Sequence, residues 1–148
     1  MVSDKTIKRP LSAYPHVADI QTRWMDNDVY GHVNNVVYYS FFDTAVNEML
    51  IKAGVLDIHK GKVIGLVIET KCEYFAPVEF PEGLKAGVAI SHLGNSSVRY
   101  EIGLFKENSE EAVAQGHFVH VYVDRSSRRP TSLPKDLRSL LETLLLAA

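Results

Sequence analysis

The segment from Asn34 to Ala53, NNVVYYSFFDTAVNEMLIKA, runs without proline or glycine, and its apolar side chains lie around most of a helical circumference. The β-branched and aromatic residues Val36, Val37, Tyr38, Tyr39, Phe41 and Phe42 weakly favour a strand. Ala45, Glu48, Met49 and Leu50 favour a helix, and the segment is longer than an ordinary strand. Gly54 follows at once, where a helix commonly ends on a left-handed residue. The spacing therefore predicts one long helix. A helix apolar on so many sides has to be enclosed by other elements rather than laid on a surface.

The rest of the chain supplies the enclosure. Residues Met1 to His16, with Pro10 and Pro15, predict an irregular lead-in. From Val17 to Met25, Ile20, Thr22 and Trp24 alternate with Asp19, Gln21 and Arg23, the pattern of a half-exposed strand. Beyond a linker containing Gly61 and Lys62 come four more strand-like runs: Val63 to Phe75, Leu84 to His92, Val98 to Lys106 and Ala112 to Asp124. Turn chemistry separates them, first Pro77 with Pro81 and Gly83, then Gly94-Asn95-Ser96, then Glu107-Asn108-Ser109. Short turns between consecutive strands predict antiparallel hairpins. Leu133 to Ala148, with leucines at 137, 140, 141, 144 and 145 and Pro134 near its start, predicts a terminal helix.

The expected class is α+β, a five-stranded antiparallel sheet curled around one long central helix, with a short C-terminal helix. A chain of 148 residues buries one substantial core, so residues 1–148 are expected to form a single domain. A net charge of −2, with no basic excess or acidic tail, gives no reason to expect nucleic acid or a membrane surface as partner. The lone Cys72 excludes an intramolecular disulfide framework and a thiolate zinc cluster. MVSDKTIKRP lacks the apolar core of a signal peptide and no run reaches the length of a membrane span, so a cytoplasmic location is expected.

The polar stretch that feeds the long helix, DNDVYGHVNN from Asp26 to Asn35, is where chemistry concentrates. The first turn of a helix leaves backbone N–H groups unpaired and carries a partial positive charge, which suits a site that stabilises developing negative charge. Two acids, a histidine and a glycine stand directly before it. Asp26 fits a structural role, holding the loop through backbone hydrogen bonds. Gly31 fits a conformation, or a close approach, that a side chain would block.

These residues, with Tyr38, Tyr39 and Asp43 after them, resemble the signature of the hot-dog-fold acyl-CoA thioesterases related to 4-hydroxybenzoyl-CoA thioesterase. The resemblance continues in weaker form along most of the chain. It implies that the sheet wraps the helix as a bun does a sausage, and that Asp28 is the catalytic carboxylate, acting as nucleophile or as general base. It also implies oxyanion donors among the backbone N–H groups at the loop-to-helix junction, near Asn34 and Asn35, beside Gly31. His32 matches a His-x-Asn-Asn variant in which the imidazole orients water or stabilises charge.

There are two departures. Tyr30 stands where those relatives carry Asn, and Val46 stands three residues after Asp43 where many carry Arg. The chemistry implied needs no metal and no cofactor. The implied partners are an acyl-CoA substrate, or acyl groups on an acyl carrier protein, and further copies of the chain in a homodimer or homotetramer whose sheets join edge to edge. Tyr30, Tyr38, Ser97, Arg125 and Arg128 are candidate substrate contacts, the arginines because the phosphates of coenzyme A suit guanidinium groups.

Other candidates carry less. His117 and His120, three apart on a strand, point to opposite faces and make a poor chelate. Cys72 shares a strand face with Ile64, Leu66, Ile68 and Tyr74, the setting of a packed thiol rather than a nucleophile. Gly94-Asn95-Ser96-Ser97 lacks the Gly-x-Ser-x-Gly of a nucleophile elbow. An acyl-thioester dehydratase would need a His-x-x-x-Gly-x-Pro loop, which is absent. The remaining alternative is a non-catalytic acyl-CoA binder or sensor on the same fold.

Overall fold

The computed structural model describes residues 7–57 and 59–147. Residues 1–6 of the expected lead-in and Ala148 of the expected terminal helix lie outside them. Five strands, β1 (His16–Gln21), β2 (Val63–Tyr74), β3 (Gly83–Leu93), β4 (Ser97–Lys106) and β5 (Ala112–Asp124), form one antiparallel sheet in the order β1-β3-β4-β5-β2. The long helix α1 (Val37–Lys52) joins β1 to β2, which lie at opposite edges, so it must cross the concave face. This is the hot-dog arrangement.

α1 buries Tyr38, Phe41, Phe42, Ala45, Val46, Met49 and Leu50. Their steps of three and four residues make one continuous stripe. Against it pack Ile20 from β1, Val88 from β3, Tyr100 and Ile102 from β4, and Phe118 from β5. Each large apolar side chain buried there contributes about 2 kcal/mol. The apolar surface thus differs from the expectation: it is a stripe rather than nearly the whole circumference, and Ser40, Asp43, Thr44 and Ile51 are exposed. The helix begins at Val37, later than Asn34. It ends as predicted, with Gly54 at φ +73°, its N–H donating to Ile51 O, and the Val55 N–H donating to Leu50 O. That pair of bonds closes the last turn.

The hairpin expectation holds for β3–β4 and β4–β5 and fails for β2–β3. β2 pairs with β5, and residues 75–82 carry the chain from that edge back to β3. The first strand is shorter than expected. Ala18, Ile20 and Thr22 alternate inward, but the chain then turns into a 3-10 segment, Trp24–Asp26, which leaves Trp24 exposed. The terminal helix α2 covers only Lys135–Glu142, because the tail beyond it bonds to β3 on both sides of Ile90, next to a bulge at Ser91.

The lead-in also contributes packing. Tyr14 is buried on the convex face, and its ring lies against the backbone at Gly87 and Gly103, where a Cβ would approach it to 2.5 Å and 2.7 Å. Beside it, the buried Glu101 carboxylate accepts from Ser91 (2.5 Å) and Arg99 (2.6 Å), and His117 links Arg99 to Glu69. His120 faces the concave side among Tyr100, Phe118 and Tyr122, so the two histidines do lie on opposite faces. Among the described residues no helix is long and apolar enough to cross a membrane.

Candidate active site

A short turn of hydrogen bonds shapes the loop before α1. The Asp28 N–H donates to His32 O (2.9 Å) and the Gly31 N–H to Asp28 O (3.1 Å), while the Asp28 carboxylate accepts from the Tyr30 N–H (2.9 Å). Gly31 completes the turn at φ +83°, a conformation that costs a side chain-bearing residue strain. Val29 and Tyr30 are carried to the tip and stand 94% and 83% exposed.

Asp26 anchors the base of this turn. Its buried carboxylate accepts from the Arg23 N–H (2.7 Å) and pairs with the Arg23 guanidinium (2.9 Å), and its carbonyl accepts from the Asn34 N–H (2.9 Å). Asn27 and Val33 tie the loop to the crossing segment, through Phe80 N–H to Asn27 Oδ1 (3.1 Å) and Val33 N–H to Val78 O (2.7 Å).

Of the three backbone N–H groups considered as oxyanion donors, two are committed within the loop, Gly31 to Asp28 and Asn34 to Asp26. Asn34 instead forms a turn ahead of the helix: its side-chain oxygen accepts from the Val36 N–H (3.2 Å) and its carbonyl from the Val37 N–H (2.9 Å). Among the described residues the Asn35 N–H makes no hydrogen bond. It stands at the entrance to the helix, where the macrodipole adds its positive end.

Asn35, His32 and Tyr38 line one groove of about 320 Å³, together with Tyr74 and the turn at Ala76 and Pro77. The walls of this groove do not include Asp28, which lies half-buried in the adjoining turn. Tyr74, at the end of β2, packs edge-on against Tyr38 with ring centroids 4.9 Å apart and donates its hydroxyl hydrogen to Asn35 O (3.0 Å). Burial pushes the Tyr38 phenol up to about 12, so it stays protonated at neutral pH. Nothing near Tyr74 in the sequence signals its role, since the pairing of β2 with β5 is what brings it beside the loop.

Ser97, Arg125 and Arg128 are not part of this cluster. Tyr74 pairs with Ala114 and Ser97 with Val121, so Ser97 lies at the other end of β5, roughly 23 Å away along the strand. Arg125 is anchored at the start of β2, its N–H to Lys62 O (2.7 Å) and its Nε to Gly61 O (2.5 Å). Arg128 occupies an exposed turn at φ +64°. Cys72 is a packed thiol whose burial raises its pKa to about 11, which leaves little thiolate. A bulge between Val67 and Glu69 interrupts the alternation expected around it, so Leu66 and Ile68 are exposed rather than sharing its environment. No cluster of three or more His, Cys, Asp or Glu suited to a metal occurs among the described residues.

Known proteins resemble the chain in both sequence and shape. The PA5185 protein of Pseudomonas aeruginosa strain PAO1 is 54% identical and superposes with a TM-score of 0.93 over 96% of this chain and 99% of that one. Slr0204 of Synechocystis, a 1,4-dihydroxy-2-naphthoyl-CoA thioesterase, is 16% identical with a TM-score of 0.77 over 84% and 93% of the two chains, a likeness of fold. YsmA of Bacillus subtilis (strain 168) is 28% identical over 127 residues, 85% of this chain and 82% of its own. The family description "Thioesterase-like superfamily" matches residues 22–141, which span the loop, the helix and all the strands after them, and the chain belongs to that superfamily.

Proposed function

We propose that the protein hydrolyses the thioester of an acyl-CoA to a free acid and coenzyme A. The observation that carries this reading is the helix entrance, where Asn35, whose N–H is uncommitted among the described residues, lines a groove with His32 and Tyr38, next to the turn that holds Asp28. A thioester carbonyl is already electrophilic. Hydrolysis needs a carboxylate and a donor for the oxyanion, and such a donor typically lowers the barrier by about 3 kcal/mol.

In the proposed reaction the carbonyl oxygen takes the Asn35 N–H as donor while Asp28 acts in one of two ways. As general base it removes a proton from water as the water oxygen bonds to the carbonyl carbon; as nucleophile it forms an anhydride that water then opens. Either way the carbon–sulfur bond breaks and the thiolate leaves as coenzyme A, taking up a proton. In this reading His32, which lines the groove, orients the water. An acyl carrier protein presents the same thioester on the same pantetheine arm and is the second substrate form to compare.

The same reading includes a homodimer formed through β2. This strand is a free edge of the sheet and exposes Leu66, Val67 and Ile68 in a row, the last at 63%. An apolar, unpaired edge is a template for pairing with another strand. The deciding experiment replaces Asp28 with Asn and follows thiol release across a panel of acyl-CoA and acyl-carrier thioesters. A fall of a hundredfold or more in kcat is expected, and near-normal turnover overturns the assignment.

A further inference from the structure

Before it enters β1, the lead-in crosses the convex face of the sheet, and its first described residues are held there from far along the chain. Gln115 of β5, 6% exposed, donates its Nε2 hydrogen to Ile7 O (3.0 Å) and accepts the Arg9 N–H at its Oε1 (2.9 Å). These two bonds fix the backbone on either side of Lys8. Arg9 adds an ion pair to the buried Glu101 of β4 (3.6 Å).

The Lys8 ammonium stands 4.5 Å from the centroid of the Phe75 ring. Phe75 faces two ways: it packs with Leu11 against the cluster of Tyr14 and Phe105, and it is one of the residues lining the groove that holds His32 and Asn35. Its neighbour Tyr74 makes the hydroxyl bond to Asn35 O. The rest of this wall, Ala76 and Pro77, is exposed, and the wall is tied to β5 at Val113 O, which accepts from the N–H groups of Phe75 (2.8 Å) and Ala76 (3.2 Å). A segment with so little buried around it opens at low cost, and a cation held over the face of its ring closes it more firmly.

We propose that residues 7–10 brace the groove wall from behind, with Lys8 and Gln115 as positioning residues that hold Phe75, and through it the Tyr74 bond to Asn35, in place for turnover. The effect on turnover rests on the thioesterase reading above, whereas the bracing itself is read without a substrate. A lysine near a groove for coenzyme A thioesters could instead serve as a phosphate contact, and the two roles move different kinetic constants. A phosphate contact holds substrate and transition state alike and is read in KM. A brace that keeps an oxyanion donor preorganised is read in kcat.

The test follows thiol release from acyl-CoAs and amide hydrogen exchange in the full-length wild type, Lys8→Met, Lys8→Arg and Gln115→Met. Methionine keeps an unbranched apolar stem while removing the ammonium or the amide. Lys8→Met is expected to lower kcat about threefold with KM little changed, the size of one cation–ring contact. Lys8→Arg, whose guanidinium also stacks on aromatic faces, should restore it. Gln115→Met should lower kcat at least as far as Lys8→Met. On a Tyr74→Phe background Lys8→Met should cost less than in the wild type, because the bond it acts through is gone. Exchange at the Phe75 and Ala76 amides should quicken in both methionine variants while β3 and β4 keep the wild-type rate.

Wild-type exchange at Phe75 and Ala76 in both methionine variants overturns the proposal, as does an active enzyme whose kcat neither variant lowers. A rise in KM at constant kcat makes Lys8 a phosphate contact and overturns it too. So does a Lys8→Met loss of equal size in the two backgrounds, or faster exchange spread over the whole sheet, which would make the lead-in a general stabiliser. Thiol release from no thioester, with the local exchange response intact, overturns the thioesterase reading and leaves the brace standing.

Discussion

The hydroxyl of Tyr74 donates to the backbone carbonyl of Asn35 at 3.0 Å, fastening the end of the edge strand to the residue whose N–H is uncommitted at the helix entrance. The Asn35 carbonyl thereby accepts two bonds, from the Tyr74 hydroxyl and from the Tyr38 N–H (3.3 Å), which fix the backbone on the C-terminal side of the donor. Preorganised donors act in catalysis only if they need not move when charge develops. Tyr74→Phe keeps the edge-on packing against Tyr38 and removes the bond. The expected result is a loss in kcat of about tenfold with little change in KM, measured by steady-state thiol release.

Asn34 and Asn35 are adjacent and should behave differently. Asn34 accepts from the Val36 N–H through its side chain, so Asn34→Ala removes a turn hydrogen bond and should cost about 1 kcal/mol in denaturant unfolding. Asn35 enters the proposed chemistry through its main chain, so Asn35→Ala should leave both stability and turnover nearly unchanged. A large effect of Asn35→Ala on turnover would move the role to its side chain.

The buried His120 predicts acid sensitivity of a definite sign. Its folded-state pKa of about 4 lies below the ordinary histidine value, so between the two the unfolded chain takes up a proton that the folded chain refuses. Stability conferred by the neutral imidazole is complete above about pH 6.5 and is lost as pH falls toward about 4, by at most about 3 kcal/mol. Thermal unfolding across this window should show a steeper fall in Tm for the wild type than for His120→Phe. Parallel curves would show that the group titrates normally when folded.

Charge on the free edge should separate the copies. Ile68 is exposed at the bulge of β2, midway along the strand, and Ile68→Glu would bring two like charges together across a twofold pairing. Light scattering should report at least twice the 16.6 kDa chain mass for the wild type and a shift toward the single-chain mass for the variant.

Gly54 closes α1 at φ +73°, with open space around its Cα. Gly54→Ala therefore meets backbone strain and no clash, and should cost about 1 kcal/mol in chemical denaturation without altering turnover.

Much of this architecture is local and could be read residue by residue. Alternation marks the first strand, turn residues bound the other four, Gly54 marks the end of α1, and the dense polar run before the helix marks the loop that holds Asp28 and His32. Each of these signals rests on neighbours in the chain, where periodicity and turn chemistry act directly. The sequence reads as apolar nearly all round the helix, whereas α1 buries only a stripe, because Val36 and Ile51 are apolar yet face outward in the fold.

Tertiary structure decided the rest, since those contacts join residues far apart in sequence. β2 lies against β5 rather than β3, which puts Tyr74 beside Asn35 and Gly65 over Tyr122. The return of the chain through Asp26 commits the Asn34 N–H and leaves that of Asn35 uncommitted. Sequence alone determined that a sheet would close on a helix with a reactive loop at its start. Which donor stayed uncommitted, and which residues hold the wall beside it, followed from long-range packing, in which each polar group's environment is set by segments that no local pattern can place.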